Sequence, residues 1–177
     1  MNYLTSTLLL DEEIKILKTN LSAKESDWED GKKTAGSLAS KVKNNLQLNR
    51  NSDISKKNAG FIVKKLLTNT LIKSFALPKK IHGIMFTKSS KGMKYGRHVD
   101  NAYMSSGRAD LSFSIFLNKK NSYKGGELVV ENINTENKFK LNQGEIIIYP
   151  STYLHSVEEI INGERLVCVG WIESYVK

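Results

Sequence analysis

The motif YGRHVD, from Tyr95 to Asp100, is the starting point for interpreting this sequence. In an extended strand, residues i and i+2 point to the same face, so the imidazole of His98 and the carboxylate of Asp100 are expected to converge. The pair alone is weak evidence for a site, because a chain with three histidines contains a His-x-Asp by chance in roughly one case in six. The surrounding sequence therefore decides whether the pair matters.

Two further residues favour a metal centre. His155 follows the strand-like run 145–150, and Arg165 opens the run 165–172, which is rich in β-branched residues. His98, Asp100 and His155 would offer two neutral imidazole nitrogens and one oxygen to one face of a divalent ion. This donor set is typical of the facial triad of non-haem Fe(II) sites. Together with Arg165 and the strand-like segments beside them, these three residues are better explained as a metal site than as ordinary packed or solvated side chains.

After Pro78, short strand-like segments alternate with turn signals rich in Gly, Asn and Ser. Strands are predicted at 81–88, 111–117, 127–131, 138–141, 145–149, 157–161 and 165–172. Turns are predicted between them, including one at 162–164. Strands this short, at this spacing, indicate an all-β sandwich or barrel.

One of these segments suggests how the sheet is oriented. In 111–117 the odd-numbered residues are all large and apolar, whereas the even set includes Ser112 and Ser114. We expect the odd face to pack against helices and the even face to line a partly polar cavity. Arg165 shares a face with Val167, Val169 and Trp171, and an inward arginine is costly unless it meets an anion. A surface position at the end of a hairpin explains Arg165 equally well.

The first half of the chain is predicted to supply helices. A strand is predicted at 5–10, and Ile14, Leu17 and Leu21 recur at helical spacing after it. The stretch 28–36 suggests a loop or short edge strand, and 44–53 a polar connection. A single helix is predicted for 55–74, with one apolar face. The residues of that face are Ala59, Ile62, Val63, Leu66, Leu67 and Leu71.

Length and composition indicate one globular domain. The 177 residues are 40% hydrophobic and 25% charged, with only two prolines. We expect a single domain over 1–177, with 1–78 as a helical support region and 79–177 as the core that carries the metal site. No stretch is long and apolar enough for a membrane span, and Met1 to Leu10 does not read as a secretion signal, so a cytoplasmic protein is expected. Cys168 is the single cysteine, which excludes an internal disulfide.

The net charge of +9 is concentrated in the first half. Residues 1–90 contain 16 Lys and Arg against 8 Asp and Glu, whereas 91–177 contain 11 against 10. A basic half could attract nucleic acid. The lysines are scattered, however, without interleaved aromatic residues, so a solvated lysine-rich surface is the simpler interpretation.

The sequence resembles the PKHD-type hydroxylases, which are Fe(II)- and 2-oxoglutarate-dependent dioxygenases related to prolyl 4-hydroxylase. Matching motifs follow in family order along nearly the whole chain. They are Trp28, Asp30-Gly31, Thr34-Ala35-Gly36, VKNNLQL at 42–48, Ala76-Leu77-Pro78, Tyr95-Gly96, His98-Val99-Asp100-Asn101-Ala102, Arg108, Asp110-Leu111-Ser112, Phe116-Leu117, Tyr123, Gly125-Gly126-Glu127-Leu128, Tyr149-Pro150-Ser151, Leu154-His155, Trp171-Ile172 and Ser174.

The resemblance implies a fold and a reaction. The fold would be mainly β, a double-stranded β-helix or jelly roll with N-terminal helices packed on one sheet. His98, Asp100 and His155 would bind Fe(II), and Arg165 would hold the distal carboxylate of 2-oxoglutarate through two parallel hydrogen bonds. Tyr95, Tyr149 and Ser114 are candidate polar lining for the cosubstrate, although each could equally be a core residue.

The implied reaction uses O2 and 2-oxoglutarate to hydroxylate a substrate, with release of succinate and CO2, and with ascorbate as a candidate reductant. The substrate is expected to be a prolyl or other peptidyl side chain. Two alternatives stay open: a nucleic-acid oxidative demethylase with the same iron chemistry, and a non-catalytic jelly-roll binding module. The sequence also departs from the family, which usually has a tyrosine at Ser89 and a helical extension after the position of Lys177. The motifs predict neither the oligomeric state nor the product stereochemistry.

Overall fold

The computed structural model describes residues 3–22, 27–34 and 39–176, and β-strands are the largest class of secondary structure in this part. The strands are β1 Leu4–Thr7, β2 Trp28–Asp30, β3 Lys43–Asn44, β4 Leu46–Leu48, β5 Pro78–Ser90, β6 Lys94–His98, β7 Tyr103–Met104, β8 Gly107–Arg108, β9 Leu111–Phe116, β10 Tyr123–Gly125, β11 Leu128–Glu131, β12 Glu136–Phe139, β13 Glu145–Pro150, β14 Leu154–Val157 and β15 Ile160–Ser174. The helices are α1 Asp11–Ser22, α2 Asp53–Thr68 and α3 Thr70–Ala76.

Two antiparallel sheets form the body of the protein. Within the described ranges, the larger sheet has eight strands, seven of them in the order β1-β13-β9-β15-β5-β4-β2, with β10 paired to β15. The smaller sheet has five, in the order β12-β11-β14-β6-β3, and β7 and β8 form a separate hairpin. This is the double-stranded β-helix, or jelly roll, predicted from the sequence.

The larger sheet contributes apolar side chains on both faces because it lies between the helices and the smaller sheet. On one face, side chains of all three helices pack against alternate residues of β9, including Phe113 and Ile115. On the other, Phe116 and Val167 meet residues of β11 and β12 in a second cluster. The predicted alternation along β9 is therefore confirmed: odd-numbered residues face the helices, and Ser112 and Ser114 line a cavity.

The predicted helix 55–74 is interrupted, which corrects the assignment of its buried face. The Asn69 side chain accepts a hydrogen bond from the Ile72 N–H at 3.0 Å and so caps a new helix, α3. Ile62 and Leu66 are fully buried as predicted, but Leu67 and Leu71 are 44% and 52% exposed. Leu67 still belongs to α2, where it follows the buried Leu66 by one residue and so lies about 100° around the helix from it. Leu71 belongs to α3, which begins after the break and buries Ile72 and Ala76 instead.

Two predicted connections contain strands. The stretch 44–53 includes β4, which pairs with both β2 and β5 and buries Gln47 and Leu48.

The predicted strand 157–161 is divided between the end of β14 and the start of β15. The predicted turn at 162–164 is wrong, because β15 continues through Gly163, which has a positive φ of 78° and pairs with Tyr123 of β10.

The stretch 28–36 begins with the edge strand β2 and continues into a 3-10 turn at Gly31–Thr34, while residues 35 and 36 lie outside the described ranges. Among the helices described, none combines the length and apolar character that crossing a membrane requires.

Adjacent leucines on α2 test this packing. Leu66→Ala removes a fully buried side chain and is expected to lower the free energy of unfolding by about 2–5 kcal/mol. Leu67→Ala, on the exposed side of the same turn, should change it by no more than about 0.5 kcal/mol. Urea unfolding followed by circular dichroism measures both values, and equal losses would contradict the described face of α2.

Candidate metal and cosubstrate site

A cavity of about 970 Å³ lies between the two sheets. The seven residues selected from the sequence all line it. They are His98, Asp100, His155, Arg165, Tyr95, Tyr149 and Ser114. The structure therefore brings the sequence-predicted residues together in one place, including Arg165, which is not at the surface.

Strand pairing places the two histidines side by side. His98 on β6 is the direct antiparallel partner of His155 on β14, and their ring centroids are 4.2 Å apart. Asp100 lies just beyond the end of β6 rather than within an extended strand, yet its carboxylate still turns toward both rings. Oδ1 is 3.8 Å from His98 Nε2 and Oδ2 is 3.7 Å from His155 Nε2. The three candidate ligand atoms all lie within 4.8 Å of one another.

Hydrogen bonds to backbone carbonyls orient both imidazoles toward the place where the three candidate ligand atoms meet. His98 Nδ1 is 2.8 Å from the Gly96 carbonyl, and His155 Nδ1 is 3.0 Å from the Tyr153 carbonyl. A carbonyl oxygen only accepts hydrogen bonds, so in both rings Nδ1 is the protonated, donating nitrogen. Nε2 of each neutral ring is then left with a free lone pair facing Asp100, as a metal ligand requires. Burial and the neighbouring His155 lower the pKa of His98 to about 4, which keeps that ring neutral near pH 7.

The carboxylate of Asp100 is held from the opposite sheet. Its Oδ2 accepts hydrogen bonds from Ser112 Oγ at 2.6 Å and from Trp171 Nε1 at 2.9 Å, and Ser112 is itself 2.8 Å from Ser151 Oγ. Both donors belong to the larger sheet. Neither was predicted as a site residue, although Ser112 lies on the predicted cavity face and Trp171 on the face of Arg165.

A glycine makes room for the tryptophan. Gly83 on β5 has a φ of 65°, and a Cβ at this position would come within 2.4 Å of Trp171 Cε3. Any side chain at Gly83 would therefore displace the indole that donates to Asp100. Gly83 thus contributes to the geometry of the candidate metal site, although its strand, β5, carries none of the three candidate ligands.

The guanidinium of Arg165 is buried without a complete set of partners. Arg165 is 4% exposed, packs over the Phe116 ring at 5.3 Å, and its Nε has no hydrogen-bond partner among the described residues. Burial lowers its pKa, and the nearby hydroxyls of Tyr123 and Tyr149 partly oppose that shift. A buried cation of this kind is stable only if an anion completes its shell.

Tyr123 is a candidate contact that the sequence prediction did not include. Its hydroxyl is buried, interacts electrostatically with Arg165, and also has no hydrogen-bond partner within the described part of the chain. Gly126 keeps this corner open, because a Cβ there would come within 3.1 Å of Arg165 Cδ and 3.3 Å of Tyr123 Cε2. The two unsatisfied polar groups face the same small space. In the sequence, the motif GGEL at 125–128, just after Tyr123, was the feature that could have pointed to this contact.

The three predicted lining residues differ in their contacts. Tyr95 stacks on His98 with centroids 3.7 Å apart, and Tyr149 meets His155 edge-on at 5.3 Å. Burial, with Asp100 nearby, raises the pKa of both phenols, so both remain hydrogen-bond donors. Ser114 is buried on the cavity wall. Ser89 is buried directly opposite Arg165 on the neighbouring strand and also lines the cavity.

The third histidine has a structural role outside this cluster. His82 Nε2 donates to the Arg108 carbonyl at 2.9 Å, so its Nδ1 accepts from Ser106 Oγ at 2.8 Å. Both ring nitrogens are therefore occupied. These bonds fix the segment that joins β7 to β8, part of which lines the cavity.

Two imidazoles and one carboxylate at adjacent positions inside a jelly roll, with an unpaired arginine in the same cavity, define a class of protein. It is the class of non-haem iron oxygenases with a facial triad. The nitrogen and oxygen donors fit a ferrous ion, and the unsatisfied guanidinium fits a carboxylate cosubstrate.

Comparison with known proteins identifies the family. The model of the 2OG-Fe(II) oxygenase superfamily matches residues 84–173, and the chain belongs to this superfamily. It is 73% identical, over its whole length, to a PKHD-type hydroxylase of Prochlorococcus marinus strain AS9601, of which it covers 80%. The family makes the chain a 2-oxoglutarate-dependent dioxygenase, with Fe(II), 2-oxoglutarate and O2 as its implied reactants.

Solved structures share the fold at low sequence identity. A prolyl-4-hydroxylase of Pseudomonas putida superimposes with a TM-score of 0.68 at 15% identity, covering 98% of this chain and 92% of that one. A prolyl hydroxylase of Trichoplax adhaerens, solved with a peptide fragment of the hypoxia inducible factor oxygen degradation domain, gives 0.68 at 14% identity, covering 97% and 83%. These similarities confirm the jelly-roll fold class.

Removing the hydroxyl that orients Asp100 should weaken metal binding. Ser112→Ala is expected to lower Fe(II) affinity by roughly ten- to a hundred-fold, because Asp100 Oδ2 loses its shortest hydrogen bond. Ser114→Ala, two residues along the same face, is the matched control and should leave Fe(II) affinity unchanged. Anaerobic competition with a chromogenic chelator measures both, and equal affinities for the two variants would contradict the role of Ser112.

Truncating Arg165 should weaken 2-oxoglutarate binding without weakening Fe(II) binding. Arg165→Ala is expected to weaken 2-oxoglutarate binding by at least about ten-fold while Fe(II) affinity stays near the wild-type value, because the guanidinium contacts none of the three candidate metal ligands directly. Arg97→Ala is the control, since Arg97 lines the same cavity but is already paired with Glu131. Calorimetric titration gives both affinities, and equal loss of metal and cosubstrate would mean that Arg165 supports the metal site instead.

Proposed function

We propose that this dioxygenase hydroxylates a peptidyl side chain, with prolyl residues as the first candidates, and releases succinate and CO2. The observation that carries the proposal is the convergence of His98, Asp100 and His155 in the cavity that also buries the unpaired Arg165. In this proposal the histidines and the aspartate hold Fe(II), and Arg165 binds the distal carboxylate of 2-oxoglutarate. The jelly-roll core is assigned to 79–177 and the helical support to 1–78, within one domain.

When bound, iron and 2-oxoglutarate supply the oxidising chemistry, in which O2 is consumed and one oxygen atom is transferred to a substrate C–H bond. The chain itself contributes position and environment. Ser112 and Trp171 fix the carboxylate of Asp100, while the Gly96 and Tyr153 carbonyls fix the two imidazoles. These fixed groups set the geometry before any ligand enters.

The remaining cavity residues orient the cosubstrate and exclude water. Tyr95, Tyr149 and Ser114 are proposed to offer hydroxyl hydrogens around it, and Tyr123 to donate beside Arg165. Apolar side chains from both sheets, such as Leu128, Val157 and Val169, line the same space. A cavity wall of this composition keeps the reaction away from bulk water.

A peptidyl substrate is supported by the relatives. The Prochlorococcus proteins that resemble this chain are named hydroxylases, and the Trichoplax enzyme of the same fold was solved with a peptide. A nucleic-acid substrate is less favoured, because some of the basic residues of the first half are neutralised locally: Lys65 pairs with Glu13 at 2.9 Å and Lys79 with Glu173 at 2.7 Å. Ascorbate as a reductant stays a prediction.

Anaerobic titration with Fe(II) and 2-oxoglutarate tests the site directly. The wild-type protein is expected to develop a weak visible metal-to-ligand charge-transfer band, and His155→Ala to lose it because a metal ligand is gone. His82→Asn is the matched control, since His82 is outside the cluster, and it should retain the band. A folded wild-type protein without the band would refute the proposed site.

The substrate class is tested under air by succinate release with prolyl peptides, free amino acids and oligonucleotides. A peptide that stimulates succinate release and gains one oxygen atom in its mass spectrum is the expected result. Stimulation by oligonucleotides alone would favour the demethylase alternative, and such binding should weaken steeply with added salt.

A further inference from the structure

Lys43 is a buried cation in the same cavity that the proposed chemistry does not use. It lies on β3 of the smaller sheet, is 5% exposed, and lines the cavity wall. Its Nζ is 5.3 Å from the centroid of the Tyr95 ring, and Tyr95 stacks on His98 at 3.7 Å. The ammonium group is therefore separated from a candidate metal ligand by a single aromatic ring. In the described part of the chain it makes no hydrogen bond and no ion pair.

The wall of the cavity carries more cations than carboxylates. Among the described residues, five basic side chains line it against one carboxylate, that of Asp100. Three of the five have assigned partners: Lys33 pairs with Glu29, Arg97 pairs with Glu131, and Arg165 serves the cosubstrate in the proposed function. Lys43 and the exposed Arg50 remain. Burial lowers the pKa of Lys43 to about 8, the carboxylates of Asp100 and Asp30 oppose that shift, and the positive charge of Arg50, which lines the same cavity, adds to it.

The position of Lys43 distinguishes it from the cosubstrate contacts. Arg165 belongs to β15 of the larger sheet, whereas Lys43 belongs to β3 at the edge of the smaller sheet. Lys43 is the strand partner of Tyr95, and Arg50 and Asn45 also line the cavity. An anion bound at Lys43 would thus approach the metal ligands from a different sheet than an anion bound at Arg165.

We propose that Lys43, assisted by Arg50, binds a carboxylate group of the primary substrate beside the metal site. One nearly buried ammonium group suits one compact anion, since a second charge would have to be desolvated without a partner. A nucleic-acid backbone would instead require a row of exposed, unpaired cations. The carboxylate could come from the C-terminus of a peptide or free amino acid, or from an Asp or Glu side chain next to the hydroxylated residue. This inference rests on the proposed function.

The test measures substrate binding without turnover. Wild-type protein loaded anaerobically with Fe(II) and 2-oxoglutarate is titrated with prolyl peptides and amino acids as free carboxylates, as C-terminal amides, and as amides with an internal Glu. Perturbation of the charge-transfer band reports binding. At least one carboxylate ligand is expected to bind, with its fully amidated form weaker by roughly ten- to a hundred-fold. Comparison of the C-terminal and internal acids distinguishes the two sources of the carboxylate.

The variants locate the contact. Lys43→Met should abolish the preference for the carboxylate form, Lys43→Arg should restore part of it, and Arg50→Met, at an exposed position that folding tolerates, should reduce it. Lys33→Met is the matched control, because that lysine lines the cavity but is paired with Glu29, and it should retain the full preference. The band itself shows that each variant is folded and binds 2-oxoglutarate.

The results that would overturn the inference about Lys43 differ from the result that would refute the proposed function. The inference is overturned if carboxylates and amides bind equally, if Lys43→Met and Arg50→Met both keep the preference, if only oligonucleotides bind, or if no ligand perturbs the band. Loss of 2-oxoglutarate affinity in Lys43→Met would place the lysine in the cosubstrate site and would also overturn it. Absence of the band in the wild-type protein is a failure of the proposed function itself.

Discussion

The site depends on one carboxylate that is shared between two sheets. Asp100 follows a strand of the smaller sheet, but its Oδ2 accepts hydrogen bonds from Ser112 and Trp171 of the larger sheet. These bonds fix the side chain at the point where His98 and His155 already face each other through strand pairing. Moving either sheet relative to the other would therefore change the position of a candidate metal ligand. The jelly roll sets the geometry of the site directly through these contacts.

The cavity is also defined by cations that the folded chain does not neutralise. Desolvating a guanidinium or an ammonium group is expensive, and a globular protein normally compensates it with a nearby acid. Here Arg165 and Lys43 are both at least 95% buried. Neither has an ion-pair partner among the described residues. Under the two proposals, anions bound at Arg165 and Lys43 would recover the stability lost by burying these charges, and the cavity would select acidic molecules over neutral molecules of the same shape.

Local sequence patterns predicted much of the fold and the metal cluster. The alternation in 111–117 and the turn signals after Pro78 reflect short-range preferences, and these hold in the structure except at 162–164. The helix break at Asn69 and the continuation of β15 through Gly163 were missed, because single-residue capping and a positive φ leave weak sequence signals. The donors to Asp100, and the isolation of Lys43, could not be predicted because they depend on which distant strands become neighbours.

The pairing of His98 with His155 links the metal to the folding of the whole chain. These residues are far apart in sequence and meet only when β6 docks on β14, so an unfolded polypeptide cannot present the triad as a preformed chelate. Under the proposed function, a ferrous ion held by these residues would bind the native state in strong preference to the denatured ensemble, and mass action would raise the melting temperature as free iron increases. Iron supply would thus govern how long the polypeptide survives proteolysis, in addition to its turnover.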